Sequence, residues 1–471
     1  MKKLCTFIFY DYETFGLHTA LDKPAQFSSV STDFYFNVID KEKVLYCYPP
    51  IDYFPNLESV LLTGITPIYT RKIGVNEAIF SKKISYIFNK PNSCILGYNN
   101  INFDDEFTRN IFYRNLIDPY SWSWKNNNSR WDILILLRSC YVLRPEILKW
   151  FKNSKGIVSF KLQDITYINN IYHRNMHDAT SDVYATIEIA KLIRRANPKF
   201  FNFLFRYRLK KETIQLVMSN NKNIFLYISN FFGYKCNYMG IITIIDWHIK
   251  NKNILIAFDL SKDVFELIKY FNINQKSILD NKKLFEKGIV FISVNKCPVL
   301  LPVIVLRKQD KIRLNINLNY YFRQLIFIKQ NSHFFKKIVQ KMCEIKNCKT
   351  SKNVDLKLYD SFLNFNDSLL IKKIRLMSPM FLSKQLLKFR EDRMNEIFFR
   401  YKARNFPENL TNAEQLNWKN YCYQYFNFNT LKEYEYLLKK NVLIYNNNIH
   451  KFSLLKDMII YYKNIISKIK N

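Results

Sequence analysis

Glycine is scarce in this chain: only 8 of 471 residues, against roughly 7% in an average protein. Phe (40), Tyr (32), Lys, Asn and Ile are abundant instead. The favoured residues have A/T-rich codons and the depleted ones G/C-rich codons, so mutational drift alone raises Lys. That removes the formal charge of +33 as free-standing evidence for a nucleic-acid partner. The nine cysteines are scattered singly, apart from Cys343 and Cys348. No further Cys or His pair stands near those two, which argues against a zinc site. An odd, dispersed set argues for reduced thiols. No uncharged apolar run reaches roughly eighteen residues, so no transmembrane helix is expected. Lys2-Lys3 followed by LCTFIFY mimics a signal peptide only briefly. Asp11 and Glu13 cut the run off, and no small-x-small cleavage site follows. A cytoplasmic protein without membrane attachment is the expectation. With 48% hydrophobic residues, the chain is too apolar to be largely disordered. Nothing repeats internally.

What is present is unevenly placed. Residues 1–195 carry 24 basic and 19 acidic side chains, whereas 196–471 carry 48 and 20. A footprint for a polyanion therefore belongs mostly beyond the first region. The length suits about two to four domains, and the texture changes twice. Residues 4–10 and 93–97 read as short buried strands, 34–39 and 43–48 as a hairpin. Helical patterns follow at 104–115, 131–142 and 179–195. Strands interleaved with helices predict an α/β domain over 1–196, closed by Asn197-Pro198. Residues 198–350 read as β-rich, with runs such as GIITIID, ILIAFDL and IVFISVN. From 353 to 471 apolar residues recur at helical spacing, which predicts a helical domain.

Three short segments carry the chemistry. Asp11-Tyr12-Glu13 follows the first strand, and side chains at i and i+2 of an extended segment point the same way. Two such carboxylates repel unless a hard cation neutralises them; alone, the pair also suits a solvated turn. Asn99–Asp104 follows the second buried strand, placing Asp104 in the first turn of a helix, where it also suits a cap. Asp105 and Glu106 read as ordinary first-turn acids. His177 precedes Asp182, which lies near the start of the helix VYATIEIAKLIRR; a lone loop histidine is more often a surface residue. Taken together, DxE, N-x3-FD and H-x4-D stand in order, each at a strand end or helix start. Four converging carboxylates are what two Mg²⁺ ions about 3.5–4 Å apart require. His177, with an ordinary pKa of about 6.5, suits a general base at neutral pH.

This pattern resembles the DEDD exonucleases, in the subgroup whose third motif carries His. Longer blocks resemble the bacterial exodeoxyribonuclease I family: DYETFG (11–16), ALDKPAQF (20–27), LGYNN (96–100) and FDDEFTRNIFYRN (103–115). So do NSRWDIL (128–134), LRPE (143–146), VNKCPVL (294–300) and YKARNFP (401–407). The resemblance implies a ribonuclease H-like exonuclease domain, an SH3-like β domain and a C-terminal helical domain. It implies processive 3′→5′ hydrolysis of single-stranded DNA to nucleoside 5′-monophosphates in repair and recombination. It implies two Mg²⁺, replaceable by Mn²⁺, on Asp11, Glu13, Asp104 and Asp182, with His177 as base. Leu62, Thr63, Gly64 and Ile65 match a loop used near the 3′-terminal nucleotide, which Glu13 also faces. Leu62 or Ile65 would stack on the base, although LTGIT alone is also compatible with a strand–turn. Arg109, Trp124 and Arg138 match blocks that hold phosphates or stack bases; a buried Trp or surface Arg fits equally. Lys161 stands where the family pattern has Arg, which keeps the charge but loses the bidentate fork. Arg144 is the candidate for gripping the acidic tail of single-stranded DNA-binding protein, and a monomer is expected. The alternatives are a strand-binding protein with a vestigial nuclease fold, a DEDD ribonuclease that shares the catalytic set, and a polymerase proofreading subunit; the extra β and helical regions argue against the last two.

Overall fold

A computed structural model describes residues 5–173, 176–220, 223–273, 281–344, 351–385 and 387–470. Two compact units result: residues 1–128, 173–184 and 350–471 form one, and residues 129–172 and 185–349 the other.

In the first unit, β1 (Thr6–Thr14) alternates its side chains between two apolar environments. β2 (Pro24–Thr32) and β3 (Lys43–Tyr46) follow, then β4 (Ser93–Gly97). They lie side by side in the order β3-β2-β1-β4. β1 runs antiparallel to β2 and parallel to β4, and β2 runs antiparallel to β3. The expected hairpin at 34–39 and 43–48 is therefore misplaced. The partner of 43–46 is the PAQFSSVST segment, and 34–39 contributes one isolated bridge, Thr32–Val38. β2 is polar in sequence yet buried at all nine positions, so alternation could not reveal it. Its proline takes the first position, where no ladder donor is missed.

Between β3 and β4 come α1 (Leu57–Thr63), α2 (Pro67–Ile73) and α3 (Glu77–Phe88), and α4 (Asp104–Arg114) follows β4. Ile8, Tyr10 and Tyr12 of β1 pack with Phe27, Phe80, Phe88, Phe107 and Phe112 in one core. Each such ring contributes roughly 1.5–3 kcal/mol by leaving water. The helices Asp392–Asn405, Asn412–Tyr425, Phe428–Ile444 and Ile449–Lys470 belong to the same unit. Trp418, Tyr434, Met458 and Tyr461 share a second core with Phe15, Leu57, Val60 and Ile65. Arg404 joins it electrostatically, donating to Asp52 at 2.9 Å and to Asp355 at 2.8 Å. Arg400 reaches Asp355 as well, at 3.0 Å. Burial opposes the charge on Asp355, but Arg404 and its neighbours hold that carboxyl well below its ordinary range.

The second unit contains β5 (Ser129–Asp132) and an antiparallel sheet of β6 (Phe225–Ile228), β7 (Met239–Trp247), β8 (Ile254–Asp259), β9 (Ile289–Ser293) and β10 (Val299–Pro302). The sheet order is β10-β6-β7-β8-β9. The expected strand runs are strands, but 198–350 holds far more helix than a β-rich reading allows. Pro198–Arg206, Lys210–Ser219, Val264–Ile273, Leu318–Gln330 and Ser332–Glu344 are all helical. Their Phe, Tyr and Ile density favours strand by residue type, while their apolar spacing fits a helix against the sheet. Cys348 lies outside the described residues; the eight described cysteines form no disulfide. Among the described residues no helix is long and apolar enough to cross a membrane.

Candidate active site

The site begins where β1 outruns β4. Their ladder ends at Phe9–Leu96, and β4 stops at Gly97. A Cβ at residue 97 would lie 2.5 Å from the Tyr10 carbonyl oxygen, so only glycine permits this approach. Asn100 Oδ1 accepts from the Gly97 N–H at 3.0 Å and helps turn the chain toward α4. Past the ladder, the Tyr12 N–H donates to Asp104 Oδ1 at 3.3 Å. That bond draws the first residue of α4 to the tip of β1. Asp105 differs from the expected ordinary first-turn acid. It is fully buried and accepts from Tyr10 Oη at 2.5 Å and Asn100 Nδ2 at 3.1 Å.

The third segment is held from β2. Gln26 is the register partner of Glu13. It donates to Asp178 Oδ1 at 2.9 Å and accepts from the Ala179 N–H at 3.2 Å. Asp178 Oδ2 accepts from the Ser181 N–H at 3.1 Å, capping the helix Ala179–Ala196. Asp182, one turn in, thereby comes to β1. Oxygens of Asp11, Glu13 and Asp182 lie within 4.8 Å of one another.

Burial and the charges of Asp104, Glu13, Asp182 and Asp178 hold the Asp11 carboxyl well above its ordinary range. Burial and the charges of Asp182, Asp104 and Asp178 push Glu13 up to about 8. Such a set cannot ionise fully near neutrality without added positive charge. Its donors are all hard oxygens, and no cysteine is among them, so the residues fit a divalent cation of the Mg²⁺ or Mn²⁺ kind.

His173 touches these acids, its Nε2 lying 2.6 Å from Asp182 Oδ1. His177 sits half-buried in the turn before the helix, with φ of 65°. His173 and Gln26 were not singled out from sequence. The first His of HRNMHD has no periodic signal, and Gln26 stands only as part of a resembling block.

The remaining candidates lie in varied settings. LTGIT is a helix end, since Gly64 caps α1 at φ of 72° and donates to the Val60 carbonyl. Thr63 Oγ1 accepts from the Ile65 N–H at 3.2 Å. Ile65 is 7% exposed within a core, so Leu62, 60% exposed, is the one open to a base. Trp124 is 65% exposed. Arg109 donates to Glu106 at 2.8 Å and to Tyr359 Oη at 3.4 Å. In the second unit, Arg138, Phe160, Lys161 and Tyr238 line a cavity of about 420 Å³. The Arg138 guanidinium lies 5.7 Å from the Phe160 ring centre, and Lys161 is exposed. Arg144 donates to the Leu143 carbonyl at 2.5 Å and lies 3.6 Å from Asp310, which Arg307 and Arg313 share.

Known proteins match this architecture along the whole chain. The family model described as Exonuclease matches residues 8–190, the Exonuclease I SH3-like domain 208–344, and the Exonuclease I C-terminal domain 352–465. Exodeoxyribonuclease I of Buchnera aphidicola (subsp. Schizaphis graminum) is 49% identical, covering 98% of each chain. Its Escherichia coli counterpart is 40% identical over 99% of each. The crystal structure of E. coli exonuclease I with a dA16 oligonucleotide superposes with a TM-score of 0.92 at 39% identity, covering 98% of this chain and 100% of that one. A solved SSB/exonuclease I structure with an inhibitor gives 0.90 at the same identity and the same coverages. With its carboxylate cluster and full-length match, the chain belongs to the exodeoxyribonuclease I family.

Proposed function

We propose that this protein removes nucleotides from single-stranded DNA in the 3′→5′ direction, releasing nucleoside 5′-monophosphates. The observation that carries this reading is the convergence of Asp11, Glu13 and Asp182, with Asp104 tied to β1, in a member of this family. Asp11, Glu13, Asp104 and Asp182 would hold Mg²⁺, as two ions, with Mn²⁺ as substitute. The bound cation supplies positive charge where the attacking water and the leaving 3′ oxygen gain negative charge. His177 accepts the proton of the attacking water, whose oxygen bonds to phosphorus as the bond to the 3′ oxygen breaks. Glu13, Leu62, Thr63 and Gly64 face the terminal nucleotide, and Arg109, Trp124, Arg138 and Lys161 guide the strand. The dA16 complex of the E. coli relative supports a single-stranded substrate. The SSB/exonuclease I structure supports SSB as a partner; its acidic tail would be gripped by Arg144, with Arg307 and Arg313 beside it. Three functional domains (1–196, 198–350 and 353–471), a monomer and a cytoplasmic location complete the reading.

The test is a polarity assay: end-labelled single-stranded DNA, blocked at the 3′ or the 5′ end, incubated with Mg²⁺. A 3′ block should stop digestion and a 5′ block should not. Digestion that survives the 3′ block overturns the direction. RNA of the same sequence, run in parallel, should be spared; equal RNA trimming would favour the ribonuclease alternative, because the 2′-OH is what a site distinguishes.

A further inference from the structure

Asp182, like Asp11, is only half-buried in the cluster. Its side chain is 18% exposed, and it rides on a helix that fixes its Cα. Oxygens of Asp11 and Glu13 lie within 4.8 Å of it, so repulsion would turn it outward. A contact with His173 opposes this. The His173 imidazole is 4% exposed, and its Nε2 meets Asp182 Oδ1 at 2.6 Å. A carboxylate that ligates a cation only accepts hydrogen bonds, so with Asp182 as a ligand the ring nitrogen is the donor.

We infer that His173 is a positioning residue: its Nε2–H holds Asp182 Oδ1, keeping that carboxylate aligned with Asp11 and Glu13 for a divalent cation. The inference rests on the metal-centre reading above and assigns His173 a task separate from that of His177. His177 would handle the water's proton, whereas His173 acts only through Asp182. Partners that orient metal-ligating carboxylates are typically worth about 10–100-fold in metal affinity.

The experiment titrates Mn²⁺ into the full-length protein without DNA and follows the free-ion signal by electron paramagnetic resonance. His173→Ala and His173→Asn, whose amide is too short to reach, should each bind Mn²⁺ about 10–100-fold more weakly. His173→Gln, whose Nε2 can take the imidazole's place, should restore binding close to wild type. Circular dichroism melts identify any variant that fails to fold, and the Asn and Gln pair then carries the comparison. In turnover, His173→Asn should raise the Mg²⁺ concentration required while leaving KM for the oligonucleotide unchanged. Unaltered Mn²⁺ affinity in folded His173→Asn overturns the inference. Tighter binding overturns it as well, since it would make His173 a placeholder that the metal must displace. A wild type that binds no Mn²⁺ defeats the metal-centre reading itself, and the role of His173 with it.

Discussion

Each unit contains a nine-residue strand that outruns a short neighbour, and the two answer the same backbone problem differently. β1 extends past β4, and the Tyr12 N–H beyond that ladder goes to a carboxylate, Asp104. β7 extends past β6, and the Ile244 N–H goes to an amide, Asn223 Oδ1 at 3.3 Å. Asn223 also donates to the Ile244 carbonyl at 2.8 Å, so both ladder bonds are replaced by one neutral side chain. The neutral solution closes the sheet and builds nothing further. The charged one starts a site, because a carboxylate held at a strand end invites other acids to share a cation with it. The fold supplies the opening, and the acceptor's charge decides what it becomes.

The largest expected effect comes from emptying the charged end. Asp182→Ala should lower turnover on the order of 10³-fold or more while the protein still binds single-stranded DNA, measured by digestion and by fluorescence anisotropy. Asp104→Asn makes the end of β1 resemble that of β7. The amide still accepts from Tyr12, so the melting temperature should change little, while activity falls on the order of 10²-fold. Loss of folding would show that the carboxylate serves the strand rather than the chemistry.

Proton linkage sharpens the same contrast. Burial and the neighbouring acids raise Glu13 from 4.5 to about 8. The folded, metal-free protein therefore holds a proton that the unfolded chain has shed. Its stability contribution is full below pH 4.5 and is lost as pH rises through about 8. Thermal melts without metal should fall across that window, and added Mg²⁺ should raise them more at pH 8 than at pH 6. The converse substitution, Asn223→Asp, leaves the Ile244 carbonyl without its donor. It should cost about 1–3 kcal/mol in denaturant melts and create no Mn²⁺ site. The smallest effect concerns the basic side chains beyond residue 195: each Lys→Ala that removes a phosphate contact should flatten the salt dependence of DNA binding by about one unit of slope.

Much of the site was legible because it rests on short-range geometry. Asp11 and Glu13 share a face by strand alternation, and Asp104 and Asp182 follow helix starts. What escaped depends on partners distant in sequence. β2 is buried throughout although PAQFSSVST looks polar, because strands flank it on both sides. Asp105 has the appearance of a solvated helix acid until Tyr10 and Asn100 close on it. Leu62 and Ile65 were equal candidates until the C-terminal helices covered one of them. The helices of 198–344 were masked by β-favouring residue types, which tertiary packing overrode.

The ion-pair lattice of Arg404 with Asp52 and Asp355 has a consequence for how this family can be cut apart. Three family models meet the chain in three clean segments, which invites treating the last as a detachable module. Its helices nonetheless share a core with Phe15, Leu57 and Val60, and its arginine neutralises a buried acid near the N-terminus. Removing residues 351–471 would bare that apolar face and leave Asp52 without its counter-charge, a loss of several kcal/mol for the acid alone. The boundaries that separate these segments in sequence are therefore not seams in folding. A minimal nuclease built on this scaffold would have to redesign the face beneath the helices before it could discard them.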